Sequence, residues 1–95
     1  MIEVVNVEPL ERFWLRLTLS NGDVIERDVS RLLSGSVFKP VRNHREVFEA
    51  AFVDGGTVAW PGTADIAPET LIWDGPEPRD GTARPEARLQ LHPVA

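Results

Sequence analysis

The sequence contains no cysteine. That excludes disulfides, a thiolate nucleophile and cysteine-ligated metal, and it suits a reducing compartment. No apolar run approaches the ~18 residues of a membrane span, so no membrane segment is expected. Met1 leads directly into the strand-like IEVVNVE with no basic n-region. No signal peptide is therefore expected, and the cytoplasm is the default location. The histidines are His44 and His92, and neither has a second histidine three or four positions away, as convergent metal ligation on a helix would need. A G-x-S-x-G nucleophile turn is absent, and so are G-x-G-x-x-G and a Gly-rich loop ending in Lys-Ser/Thr. These absences predict a chain with no catalytic, cofactor-binding or metal-ligating residues, and no cofactor.

Basic charge is missing from one half of the chain. Between Glu46 and Glu77 there is no Lys or Arg, although Glu49, Asp54, Asp65, Glu69 and Asp74 fall there. Between Arg27 and Arg45 the balance reverses: Arg31, Lys39 and Arg42 join them, against Asp28 alone. The formal net charge of −5 opposes duplex-DNA binding, where phosphate contacts dominate affinity. An asymmetry of this kind steers association more than it determines fold.

What is present describes a chain of 95 residues with one globular domain, 42% apolar and 26% charged overall. IEVVNVE is β-branched enough for a strand, which Pro9 ends. In RFWLRLTLS, Phe13, Leu15, Leu17 and Leu19 alternate with Arg12, Trp14, Arg16 and Thr18, the pattern of a half-buried antiparallel strand. SNGD then signals a hairpin. A two-residue turn would put carboxylates on the core face, so a three-residue loop over Asn21-Gly22-Asp23 is expected, with Leu19 opposite Ile25, Thr18 opposite Glu26 and Arg16 opposite Asp28. Residues 30 to 34 suit a helical turn capped by Ser30. GSVFKP follows as an irregular crossing anchored by Phe38 and Val41, with Pro40 blocking a helix from before it. A helix over Asn43–Ala50 is predicted, with Asn43 as N-cap, Glu46 completing a capping box, and Phe48 and Phe52 beside its apolar stripe. AFVD-GG-TVAW is a second hairpin around Gly55-Gly56.

The stretch WPGTADIAPETLIW, residues 60 to 73, has a structural use for nearly every residue. Trp60 closes the last strand and fills the core. Pro61-Gly62 suits a type II turn. Pro68 opens a short helix to Trp73, with Glu69 near its positive end and Leu71 turning back onto the sheet. Asp65 is left to brace the turn through its carboxylate. After Trp73 the chain becomes proline-rich, so residues 1–74 are read as the domain and 75–95 as a tail, with ARLQLHPV as a conditional strand. The fold class is α+β: an antiparallel sheet of about five strands, arranged as a three-stranded meander, a short helix and a hairpin, with two short helices on one face, in two layers.

LTLSNGDVIERDVSRLL, then GSVFKPV, then VFEAAFVDGGTVAWPGTADIAPETL resembles the DUF2442 family, small bacterial domains of unknown function. The resemblance covers about residues 2 to 73. It rests most on Gly22, Phe38, Trp60, Pro61, Asp65, Pro68 and Leu71, with Ile72-Trp73 standing where the family has an aromatic after the leucine. It implies an α+β domain that stands alone or is attached to a helix-turn-helix, often encoded beside another small protein as in toxin–antitoxin pairs. It supplies no catalytic residue.

Two readings of function follow. Trp14, on the polar side of its strand between Arg12 and Arg16, has the composition of an interface hot spot. With the acidic residues Asp54, Asp65, Glu69 and Asp74, it points to a protein partner with a basic surface, in an antitoxin-like role or as an acidic inhibitor of the kind phages direct at host defences. The alternative is a nucleic-acid-associated regulatory module. It would use Arg12, Trp14 and Arg16, and a second patch of Phe38, Lys39, Arg42, His44 and Arg45. A homodimer is compatible with either.

Overall fold

A computed structural model describes residues 2–73. The tail over 75–95, its conditional strand, Asp74 and His92 lie outside the described residues. The chain first folds as the meander β1 (Val4–Pro9), β2 (Trp14–Leu19) and β3 (Val24–Asp28), an antiparallel sheet in the order β1-β2-β3. β2 follows its alternation: Leu15, Leu17 and Leu19 are buried, while Trp14, Arg16 and Thr18 occupy the outer face, half-buried. In β1, Val4 and Val7 both pack inward although they are three residues apart. A bulge between Val4 and Asn6 makes that possible by inserting the extra residue Val5, which is left 55% exposed.

The β2–β3 hairpin differs in register from the sequence expectation. Leu17 faces Ile25, Arg16 faces Glu26 and Thr18 faces Val24, a shift of two residues from the predicted pairs. The three-residue loop is Ser20-Asn21-Gly22, closed by Leu19 N–H donating to Asp23 O (2.8 Å) and Gly22 N–H to Leu19 O (2.9 Å). Gly22 therefore takes the third loop position, where φ must be positive, and its φ is 92°. Asn21 Oδ1 accepts from Asp23 N–H (3.0 Å), adding an Asx turn. A two-residue shift leaves each side chain on its original face, so the core face is as expected and only the cross-strand partners change.

A second antiparallel sheet contains β4 (Phe52–Asp54), β5 (Thr57–Ala59) and β6 (Asp65–Ile66), in that order. The Gly55-Gly56 turn pairs Val53 with Val58 and Phe52 with Ala59, as predicted. Both glycines have positive φ, 58° and 85°, as a type I′ turn requires. Two features correct the single sheet of about five strands. β6 is an additional strand, too short to show alternation. The strands also divide into two three-stranded sheets, linked where Val4 N–H donates to Gly56 O (3.0 Å) and β1 lies beside β4.

The helical segments are shorter than predicted. Ser30–Leu32 is one 3-10 turn, and Asp28 Oδ1, not the Ser30 side chain, accepts at its start, from Ser30 N–H (2.9 Å). Ser36–Phe38 is a second such turn and runs into α1 (Lys39–Asn43). Pro40 sits in the first turn of α1, where its missing N–H costs nothing; the segment expected as an irregular crossing thus contains a short helix that begins beside Pro40. The predicted Asn43–Ala50 helix reduces to α2 (Arg45–Phe48), and Asn43 ends α1 instead of capping α2. The break is His44, extended at φ −129°, ψ 107°. Its N–H closes α1 on Pro40 O (3.0 Å), and its carbonyl accepts from Val47 N–H (2.9 Å) to restart the helix. No side chain caps α2, so the capping box does not form. The helix α3 (Pro68–Trp73) has the predicted bounds.

Both sheets and the helices share one apolar cluster. Leu15, Leu17, Leu19 and Ile25 from the first sheet meet Val58 and Ile66 from the second, with Val41, Phe48, Leu71 and Ile72 from the helices. Each such side chain contributes roughly 1.5–3 kcal/mol by leaving water.

Candidate functional site

Trp60 belongs to the core. It is 1% exposed, and its Nε1 donates to Phe48 O at 2.9 Å. Its ring stacks on Phe48 (centroids 6.3 Å apart, 28° between planes) and meets Phe38 edge-on (6.1 Å, 84°). Several neighbouring residues of that stretch are structural too. Gly62 has a φ of 102° after Pro61, Pro68 is buried at the start of α3, and Leu71 is fully buried.

The outer face of the first sheet holds the predicted Trp14 and Arg16 but not Arg12, in an arrangement unlike a free basic patch. Glu8, Arg16 and Glu26 stand side by side on β1, β2 and β3. Arg16 donates to Glu26 (Nη2, 2.7 Å) and to Glu8 (Nη1, 3.0 Å). Hydrogen bonding to Glu26 first, then to Glu8, raises the guanidinium pKa further above its already high value. Trp14 stands opposite Asp28, half-buried. Arg12 lies in the β1–β2 turn with φ 52°, a left-handed conformation uncommon for a residue with a Cβ.

Most of the basic side chains between Arg27 and Arg45 hold the fold together. Arg45 donates to the carbonyls of Leu10 and Arg12, pairs with Glu49 (2.9 Å) and lies 4.8 Å from the Phe48 ring centroid. Arg42 donates to Leu33 O and Gly35 O. Arg27, on the core side of β3, sends Nε to Leu71 O (3.2 Å), placing a cation at the C-terminal half of α3. Phe38 faces Trp60, and His44 is an exposed residue 3.8 Å from Glu46. In the second predicted patch, two arginines donate to backbone carbonyls and the aromatic packs inward, while Lys39 and His44 are exposed. A shallow cleft of about 120 Å³ is lined by Arg27, Asp28, Arg31 and Leu32.

The outer face of the second sheet is different. Phe52 pairs with Ala59, and Ala59 with Asp65, so these three form one cross-strand row. Asp54 and Thr57 form the next row on the same face. Phe52 is 45% exposed, and Asp54 and Asp65 are exposed. The Asp65 carboxylate makes no hydrogen bond among the described residues, so the expected brace is replaced by backbone pairing in β6. Glu69 is half-buried in the first turn of α3. Sequence reasoning placed Phe52 beside a helix stripe. Its parity with Asp54 across the Gly55-Gly56 hairpin was the available signal that it faces outward.

Among the described residues no group of three or more His, Cys, Asp or Glu could hold a metal, and no helix is long and apolar enough to cross a membrane.

No curated protein matches the chain. A crystal structure from Nitrosomonas europaea, described as a putative DNA binding protein, is similar to it with a TM-score of 0.65 and 27% identity, covering 75% of this chain and 46% of that one. This chain therefore spans less than half of that protein's length. Over residues 4–75 the sequence matches the family of proteins of unknown function DUF2442, and the chain belongs to that family.

Proposed function

We propose that the protein is a non-catalytic protein-binding module that recognises a basic surface on its partner. One observation carries this reading. On the second sheet Asp54 and Asp65 face solvent with no Lys or Arg in the sheet, whereas Arg16 and Arg45 are paired with carboxylates and Arg27 and Arg42 are tied to backbone carbonyls; Arg12, Arg31 and Lys39 stay exposed elsewhere. The outward charge on the second sheet is consequently all acidic. An antitoxin-like protein and an inhibitor of a host-defence enzyme would both use such a surface and differ only in the partner. A small toxin-like frame beside the gene would favour the first, and neighbouring phage genes the second.

The test is association of the protein with the partner recovered from its host, measured from low to high salt. Exposed charges are screened beyond about 8 Å at physiological ionic strength, so the on-rate should fall as salt rises. Charge reversal at Asp54 and Asp65 should slow it further. Binding that ignores both salt and these substitutions would remove the proposal.

The second reading, a nucleic-acid-associated module, is favoured by the description of the Nitrosomonas europaea neighbour. It would have to work through the exposed side chains of Arg12, Arg31 and Lys39. Titration with a single-stranded oligonucleotide separates the two: here reversing acids to lysine would strengthen binding, and removing Arg12 and Lys39 would weaken it.

A further inference from the structure

On the reading that the protein binds a basic partner, we infer that the contact is the outer face of β4–β5–β6, and that its occupant is an arginine of the partner protein laid over Phe52 and paired with Asp54 or Asp65. The anchor is then Phe52, in place of Trp14.

Three features of the face converge on an arginine. The first is its aromatic. Phe52 stands 45% exposed on a strand whose alternate residue, Val53, packs on the core. The second is the position of the carboxylates. Asp65 lies in the row of Phe52, across the nearly covered Ala59 (7% exposed), and Asp54 is two residues along β4 on the same face. Strand spacing puts their Cα atoms about 10 Å and about 7 Å from that of Phe52. A guanidinium within about 6 Å of the ring centroid is then within side-chain reach of either carboxylate. The third feature is the absence of competition: residues 52–73 contain Asp54, Asp65 and Glu69 but no Lys or Arg. The molecule shows the same chemistry internally, where Arg45 lies over the Phe48 ring and pairs with Glu49.

An arginine fits better than a lysine. Its planar guanidinium can stack on the ring and still present two parallel N–H groups to a carboxylate, whereas an ammonium is a compact, strongly hydrated charge. A purely apolar partner would leave Asp54 and Asp65 facing it without compensation. An acidic one would be repelled.

The probe is the blocked peptide acetyl-Gly-Arg-Gly-Arg-Gly-amide, titrated into the full chain and followed by amide chemical shifts. Its lysine and citrulline counterparts serve as controls. Saturable shifts centred on Phe52, Asp54 and Asp65 are expected, in the millimolar range of about −4 kcal/mol. Lysine should bind several-fold more weakly, and citrulline not measurably. Phe52→Ser and the double substitution Asp54→Asn, Asp65→Asn should each weaken arginine binding at least about fivefold, with the amide spectrum of the folded core retained. Shifts centred on Glu46 and Glu49 would overturn this site while leaving the acidic-surface reading standing. Equal binding of citrulline, or no saturable shift at any acidic residue while an oligonucleotide binds at Arg12 and Lys39, would overturn both.

Discussion

The two outer sheet faces carry charge in different ways. On the first, Arg16 sits between Glu8 and Glu26, and the row is satisfied within itself. On the second, Asp54 and Asp65 flank an exposed phenylalanine and no cation is within their sheet. Counting charges along the chain suggested a basic region before Glu46 and an acidic one after it. The fold changes what those counts mean: Arg27, Arg42 and Arg45 are tied to carbonyls or a carboxylate, while Asp54 and Asp65 stay exposed. A charge available to a partner is one the fold leaves unpaired.

The largest effect should come from the core on which both sheets rest. Trp60→Ala removes a fully buried ring and its hydrogen bond to Phe48 O, and should cost about 3–5 kcal/mol in a denaturant melt. A loss under about 1 kcal/mol would mean that the two faces do not share a rigid support.

The seam between the sheets comes next. A Cβ at Gly56 would meet Glu3 side-chain atoms at 2.7–2.9 Å, and the residue is at φ +85°. A Cβ at Gly55, at φ +58°, meets nothing within 4 Å. Gly56→Ala should therefore destabilise by about 2 kcal/mol and Gly55→Ala by about 1. Equal losses would show that only the turn conformation matters and that Glu3 yields freely.

Removing the cation of the first face tests its self-sufficiency. Arg16 is 42% exposed at its side chain, so Arg16→Met should lower stability only slightly, and less at high salt, as a solvent-screened network does. If the proposed interface is right, the same substitution should leave binding of the arginine peptide unchanged. Should Arg16→Met strengthen that binding, the first face would be the acidic receptor instead.

The smallest effect is expected at Asp65. With no hydrogen bond to its carboxylate among the described residues, Asp65→Asn should change stability by less than about 0.5 kcal/mol and register only in binding. A loss of more than 1 kcal/mol by thermal melting would restore the bracing role read from the sequence.

Several elements were legible before folding because their signals are local. The β2 alternation, the Gly55-Gly56 hairpin and the Pro68–Trp73 helix each depend on residues within one turn or one ladder. The β2–β3 register was not legible, because two registers two residues apart bury the same leucines. The positive φ of Gly22 chose between them. The helix break at His44 and the use of Arg42 and Arg45 were hidden for another reason. Both depend on carbonyls brought close by segments distant in sequence, such as Leu10 and Arg12 for Arg45.

By itself, then, the sequence determined which residues face the core, through period-two alternation, turn glycines and an N-terminal helix proline, all short-range constraints on the backbone. Only the tertiary structure decided which charges remain for a partner. Whether an arginine is free depends on whether a carboxylate or an orphan carbonyl lies within about 3 Å of it. In this protein those acceptors come from other strands and other turns, so Arg16, Arg27, Arg42 and Arg45 are held while Asp54, Asp65 and Phe52 stand exposed.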